Sequence, residues 1–232
     1  MRFVDKLTFL NQYRKNVKLI PQEELVNLEI DTIPTYWIDV LKEKDQTKKL
    51  KQVVELWKSI SGDELRNTIS YLSENLRDVE LIIDNGNFAI LYSVKVEDGI
   101  DYFEGGIPTK NINHPDLNKN WGKIPSSIRN FYENLHNGFY YFPSRAMGLV
   151  ALENVTYFDN DEWGIIEDLE EPLGINLSST FGFFNSGMGG YIAIDFNNCE
   201  NDNATLWFVD DQPQYNVNFW DMVDEWTVIG FE

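Results

Sequence analysis

Ile124-Pro-Ser-Ser-Ile-Arg-Asn-Phe-Tyr-Glu-Asn-Leu-His-Asn-Gly138 reads as one short helix with both ends written into it. Proline's fixed φ suits Pro125 to a first helical position. The hydroxyls of Ser126 and Ser127 can accept from backbone N–H groups that lack partners in the first turn. Ile128, Phe131, Tyr132 and Leu135 fall at i, i+3, i+4 and i+7, which is one apolar stripe. His136 sits in the last turn as a helix-end cation, and Asn137-Gly138 supplies a left-handed stop. The helix divides two unlike regions. Before it the chain is mixed in charge and helix-rich; after it the chain is β-rich, aromatic and almost purely acidic.

That asymmetry outweighs the total. The 232 residues carry a net charge of −19. Residues 1–130 hold 18 Lys and Arg against 20 acids, a net of −2, whereas residues 131–232 hold Arg145 alone against 18 acids, a net of −17. A field of that sign repels nucleic acid and anionic membrane and draws cationic partners in. Evenly spread acids would mean solubility alone; the concentration of acids makes a partner surface equally reasonable. A hydrophobic content of 43% is enough for a packed core. One cysteine, Cys199, precludes an internal disulfide, the first residues lack a signal-peptide pattern, and no apolar run approaches the ~18 residues of a membrane span. The expectation is a cytoplasmic protein with no membrane partner.

Upstream of the helix, Pro21 and Pro34 punctuate residues 1–45, and Trp37, Val40 and Leu41 suggest a short helix after Pro34. Leu50, Val53, Val54 and Trp57 mark a helix over 47–60. Ser61-Gly-Asp-Glu64 fits a capping box, opening a helix striped by Leu65, Ile69, Leu72 and Leu76. Residues 79–94 form the best hairpin signal, two β-rich runs around Asn85-Gly86. Residues 97–123, with Gly99, Gly105-Gly106, Pro108 and Pro115, read as loop. The softest boundary falls there, giving residues 1–114 as a helical region plus hairpin and 115–232 as an α+β unit, with the two packing as one domain left open. Downstream, β runs are expected near 139–142, 149–158, 181–184, 191–196 and 204–209, with a turn at Ser186–Gly190. A closing helix carries Phe219, Met222, Val223 and Trp226 on its stripe and Asn218 as its cap.

Catalytic chemistry finds little support. Asp159, Asp161, Gly164, Glu167 and Glu170 match positions 1, 3, 6, 9 and 12 of a calcium loop, but Trp163 stands at position 5, where an oxygen is needed. The flanks are not helical either, so a solvated acidic loop is the better reading. Two histidines, His114 and His136, and the lone Cys199 make no zinc-type spacing. Cys199 has no basic neighbour to activate it. Ser186-Gly-Met-Gly-Gly190 is no phosphate-binding loop, since no Lys follows it. Asp195, Asp210 and Asp211 lie at strand ends without a basic companion. No catalytic residue, cofactor or metal ligand is assigned.

What remains is acid interleaved with aromatics. Asp159, Asp161, Glu162, Trp163, Glu167, Asp168, Glu170 and Glu171 form the first candidate contact surface for a basic protein, with Asp210 and Asp211 second. Trp163 reads equally as a surface anchor or as core, while Trp207 and Trp226, on periodic stripes, read as core.

The order of these elements resembles the SUKH superfamily, the Smi/Knr-type immunity proteins. The helix from Ile124-Pro125 to Asn137-Gly138 is similar to that family's LP-start, NG-stop helix. Gly190-Tyr-Ile-Ala-Ile-Asp195 and Leu206-Trp-Phe-Val-Asp210 resemble its paired strands, and Phe219–Val228 its closing helix. The resemblance covers about residues 115–232. It implies an α+β fold with a mixed, largely antiparallel sheet flanked by helices. It also implies a non-enzymatic immunity protein that binds and neutralises a cognate toxin domain, often a nuclease. Two alternatives stand beside it: a regulatory or scaffolding interaction protein, and a metal-dependent enzyme using Asp159 with Asp161, or Asp195 with Asp210.

Overall fold

The computed structural model describes residues 5–26, 32–160 and 163–232. In chain order it contains α1 (Lys6–Tyr13), β1 (Lys18–Leu19), α2 (Thr35–Lys42), α3 (Gln46–Ser61), α4 (Arg66–Asn75), β2 (Leu76–Asp84), β3 (Asn87–Val96) and β4 (Gly99–Gly106). Then come α5 (Pro115–Asn120), α6 (Ser126–Asn134), β5 (Phe139–Tyr141), β6 (Gly148–Leu149), β7 (Thr156–Tyr157), β8 (Thr180–Asn185), β9 (Gly190–Asp195), β10 (Asn203–Phe208), β11 (Gln214–Asn218) and α7 (Phe219–Ile229). This is an α+β fold. Its strands form one sheet in the order β1-β2-β3-β4-β5-β6-β8-β9-β10-β11, with β7 paired to β8. Every ladder is antiparallel, so the parallel component of the expected mixed sheet is not found among the described residues.

The pleat sorts the side chains between two faces. One face sends Val79, Leu81, Ile90, Tyr92, Phe103, Phe139, Leu149, Ile192, Ile194 and Leu206 into the main core. There they meet Trp37 of α2, Trp57 of α3, Ile69 of α4, Phe131 of α6 and Val223 of α7. The opposite face is covered in two places. Leu10 of α1 packs on Ile82, Ala89 and Leu91 at the β2–β3 end, and Phe158 and Trp163 pack on Ala193 and Trp207 at the β9–β10 end. The main core and the β4–β5 ladder both run across residue 114, so a single sheet joins the two regions.

The deciding helix forms with its whole stripe buried: Ile128, Phe131, Tyr132 and Leu135 are inaccessible to solvent. Its ends differ from expectation. Pro125 stands at the N-cap and no side chain caps the first turn; the Ser127 hydroxyl instead donates to Asp202, 2.8 Å away. Gly138 does take the left-handed φ of +84°. His136 is not a cation at a helix end but a fully buried neutral ring. Its Nε2 lies 2.6 Å from the Tyr92 hydroxyl and its Nδ1 3.0 Å from the Gly106 carbonyl oxygen. Trp57 Nε1 donates to the same Tyr92 oxygen, at 2.9 Å, so the Tyr92 proton goes to His136 Nε2 and the ring proton sits on Nδ1. Desolvation is the main cause that pulls the His136 pKa down to about 3, against a smaller upward pull from Gly106.

The capping box is also replaced. Ser61 ends α3, and its buried hydroxyl has no hydrogen-bond partner among the described residues. The first N–H groups of α4 donate to Asp224 of α7 instead, from Asn67 at 2.9 Å and Thr68 at 2.8 Å. A carboxylate from the far end of the chain therefore satisfies the helix start and sits at its positive dipole end. The hairpin matches its reading: Asn85 and Gly86 have φ of 48° and 88°. The stretch read as loop contains β4, α5 and a 3-10 turn at Trp121–Lys123. The polar edge strand β11 was not anticipated either.

Candidate functional site

Seven of the expected contact acids lie on described, exposed positions: Asp159, Glu167, Asp168, Glu170, Glu171, Asp210 and Asp211. Asp161 and Glu162 lie outside the described residues. Asp159 stands in the 3-10 turn Phe158–Asn160, and Glu167 and Asp168 in the 3-10 turn Gly164–Asp168. The two segments, far apart in sequence, are brought together by Gln212. Its side-chain oxygen accepts from Glu170 N at 3.2 Å, and its amide nitrogen donates to the Asp168 carbonyl at 3.4 Å. The Asp168–Glu170 edge and the Asp210–Asp211 turn thus lie side by side.

Trp163 is what holds that face down. The indole is buried, at 7% exposure, and stacks on Trp207 with centroids 4.3 Å apart and planes 15° from parallel. Trp163 Nε1 donates to the Phe158 carbonyl at 2.9 Å, and Trp207 Nε1 to the Asp211 carbonyl at 3.0 Å. Both indole donors are satisfied, as a buried Trp requires. The surface-anchor reading of Trp163 is therefore corrected: it is a buried staple between the acidic loop and the sheet. The sequence left this open because the loop offers no periodicity from which burial can be read.

The electrostatics of this face are one-sided. None of the seven carboxylates forms an ion pair among the described residues. Asp211 accepts from the backbone N–H of its neighbour Gln212 at 2.7 Å, and the side chains of the other six have no hydrogen-bond partner in the described structure. Asp195 does not join them. Its Oδ1 accepts from the Ser179 hydroxyl at 2.6 Å and from Asn197 N at 2.9 Å, fixing the end of β9. Asp195 and Asp210 therefore do not form an acid pair. Among the described residues no group of three or more His, Cys, Asp or Glu side chains is placed to hold a metal ion. Cys199 is half-buried, and burial, followed by Asp195, pushes its thiol pKa up, away from the reactive thiolate.

A cleft of about 650 Å³ lies elsewhere, opening where Asp84, Asn85, Glu104, Asn137, Tyr140, Arg145 and Glu153 meet. Its buried carboxylates are already paired. Arg14, lying 3.8 Å over the Phe142 ring, bonds Glu104 and, at 3.3 Å, Asp84; Tyr140 donates to Glu104 at 2.7 Å and Arg145 to Asp84 at 2.6 Å. This network ties α1, the first hairpin and the β5–β6 turn together, and every carboxylate oxygen of Asp84 and Glu104 has at least one donor within the chain. Sequence reading missed it because its members are 90 or more residues apart for Arg14–Glu104 and 128 for Arg14–Phe142.

No protein-family model matches the sequence, and neither a curated protein nor a solved structure matches it. No helix among the described residues is long and apolar enough to cross a membrane. The class defined by fold and site is an α+β protein with one antiparallel sheet and a stapled, unneutralised acidic face.

Proposed function

We propose that this chain is a SUKH-type immunity protein, a non-enzymatic cytoplasmic binder that neutralises a cationic toxin domain, a nuclease by preference, through its acidic face. The observation that carries the reading is the set of seven exposed carboxylates without a counter-cation among the described residues, held on a rigid floor by the Trp163–Trp207 stack. A nuclease keeps a cationic groove for phosphates. Carboxylates on a rigid scaffold offer that groove the same charge, with steered and therefore rapid capture. Preorganisation matters because loop ordering on binding costs affinity. The order of α6, the β9–β10 pair and α7 agrees with the SUKH-like arrangement of the sequence.

The test uses a panel of cationic nuclease toxin domains in catalytically dead form, measured by calorimetry at low and high salt. Binding that weakens steeply with salt and is lost on neutralising Glu167, Asp168, Glu170 and Glu171 is expected. Absence of binding at low salt, or binding indifferent to those four substitutions, overturns the proposal.

A further inference from the structure

The turn between β8 and β9 is built to present an apolar side chain. Asn185 Oδ1 accepts from Gly187 N at 2.7 Å, and the Ser186 hydroxyl accepts from Met188 N at 3.1 Å and Gly190 N at 2.9 Å. Ser186 N closes the turn on the Gly190 carbonyl at 2.9 Å. Gly187 and Gly189 take φ of 76° and 78°, a left-handed conformation that glycine adopts without strain. The outcome of this wiring is Met188 at 82% exposure, the most exposed large apolar side chain among the described residues. A flexible turn with an exposed methionine is ordinary; a turn fixed by four hydrogen bonds holds the backbone of its methionine in place, so binding has only the side chain left to order.

Position supplies the second argument. Val209 N donates to the Gly189 carbonyl at 3.0 Å, so the end of β10 is tied to the turn, and Val209 is itself 38% exposed. Asp210 and Asp211 follow it directly, and through Gln212 they join the Asp168–Glu170 edge. The apolar tip thus borders the acidic face. Trp163 cannot serve as that face's apolar anchor, being buried. Interfaces draw much of their affinity from an apolar anchor in a desolvated pocket with charges at the rim, and methionine suits such a place.

We propose that Met188, with Val209, is the apolar anchor of the partner contact, fitting a partner that is a basic protein whose cationic surface surrounds an apolar pocket. This rests on the reading of the acidic face as a partner surface. The test needs no cognate partner. The isotope-labelled full chain is titrated with two synthetic peptides, one alternating lysine with leucine and one alternating lysine with serine, while amide signals are followed by NMR.

The lysine–leucine peptide is expected to shift Gly187–Gly190 and Val209 together with the 163–171 and 210–212 amides, and to bind roughly tenfold tighter than the lysine–serine peptide, the worth of burying one large apolar side chain. Met188→Ser is expected to abolish that advantage without altering affinity for the lysine–serine peptide, and Met188→Leu to retain it. Since Met188 is solvated, neither substitution disturbs folding. Equal affinities for the two peptides, or an advantage that survives Met188→Ser, overturn the anchor and leave the acidic face standing. Failure of both peptides to shift the acidic face overturns both readings.

Discussion

Before residue 131, cations meet acids across the fold: Lys6 reaches Asp78 and Glu80, Lys49 reaches Asp78, and Arg14 reaches Asp84 and Glu104. After residue 130 no acid is in an ion pair among the described residues, and the single cation there, Arg145, turns back to Asp84. The acids of the second region that do have structural duties meet neutral donors: Glu133 takes Trp121 Nε1, Glu153 takes Asn137, Asp195 takes Ser179, and Asp224 takes two backbone N–H groups. One region thus pairs its charge within the chain. The other directs it outward, where the same repulsion that costs the folded state some stability attracts a partner.

The largest effect expected from breaking this arrangement is at Trp207. Trp207→Ala removes a solvent-inaccessible indole and the partner of Trp163, costing about 3–5 kcal/mol in denaturant unfolding. It also raises amide exchange through residues 163–171. A chain that loses stability without loosening that segment would show the staple to be mere packing. Asp224→Ala comes next. It strips the first turn of α4 of two charge-assisted bonds at a site 5% exposed and is expected to cost about 2–3 kcal/mol, with Asp224→Asn restoring part of it.

The third prediction concerns pH. His136 is neutral when folded, with a pKa of about 3, and in the unfolded chain it takes the ordinary value near 6.5. Below 6.5 the unfolded state binds a proton that the folded state does not. The contribution is therefore complete above pH 6.5 and is lost as pH falls toward 3, amounting to about 2 kcal/mol by pH 5. Unfolding curves between pH 7 and pH 5, compared with those of a chain lacking the imidazole, read the contribution of the ring. A His136→Asn chain is less stable at pH 7 and loses that slope. The smallest effect contrasts the two regions directly. Asp78→Asn is expected to cost up to about 1 kcal/mol, since it breaks a half-buried pair. Neutralising Glu167, Asp168, Glu170 and Glu171 together leaves stability unchanged or raises it at low salt. A loss of stability there would reveal internal partners for those acids.

Wherever local sequence was decisive, the fold was legible. The stripes of α3, α4, α6 and α7, the Asn85-Gly86 turn and the Asn218 cap, which accepts from Asp221 N at 3.0 Å, are short-range facts. β4 was hidden because glycines flank it and Glu104 interrupts it, and the distant Arg14 and Tyr140 make that burial tolerable. β11 was hidden because it is a polar edge strand, with Asn216 at a φ of 59°. The exchange of a Ser61 cap for Asp224 and of a cationic for a neutral His136 has the same origin: a tertiary partner overrode the local signal. Composition exposed the acidic face, but its assembly depends on Gln212 and Trp163, which no spacing rule connects.

The most direct measurement is hydrogen exchange on the complex with the inactive cationic domain. Protection is predicted at residues 163–171 and 208–212, with none at the Asp84–Glu104 cleft or along α2 and α3. Protection confined to the cleft or to those helices, with the acidic face exchanging as in the free protein, contradicts the account.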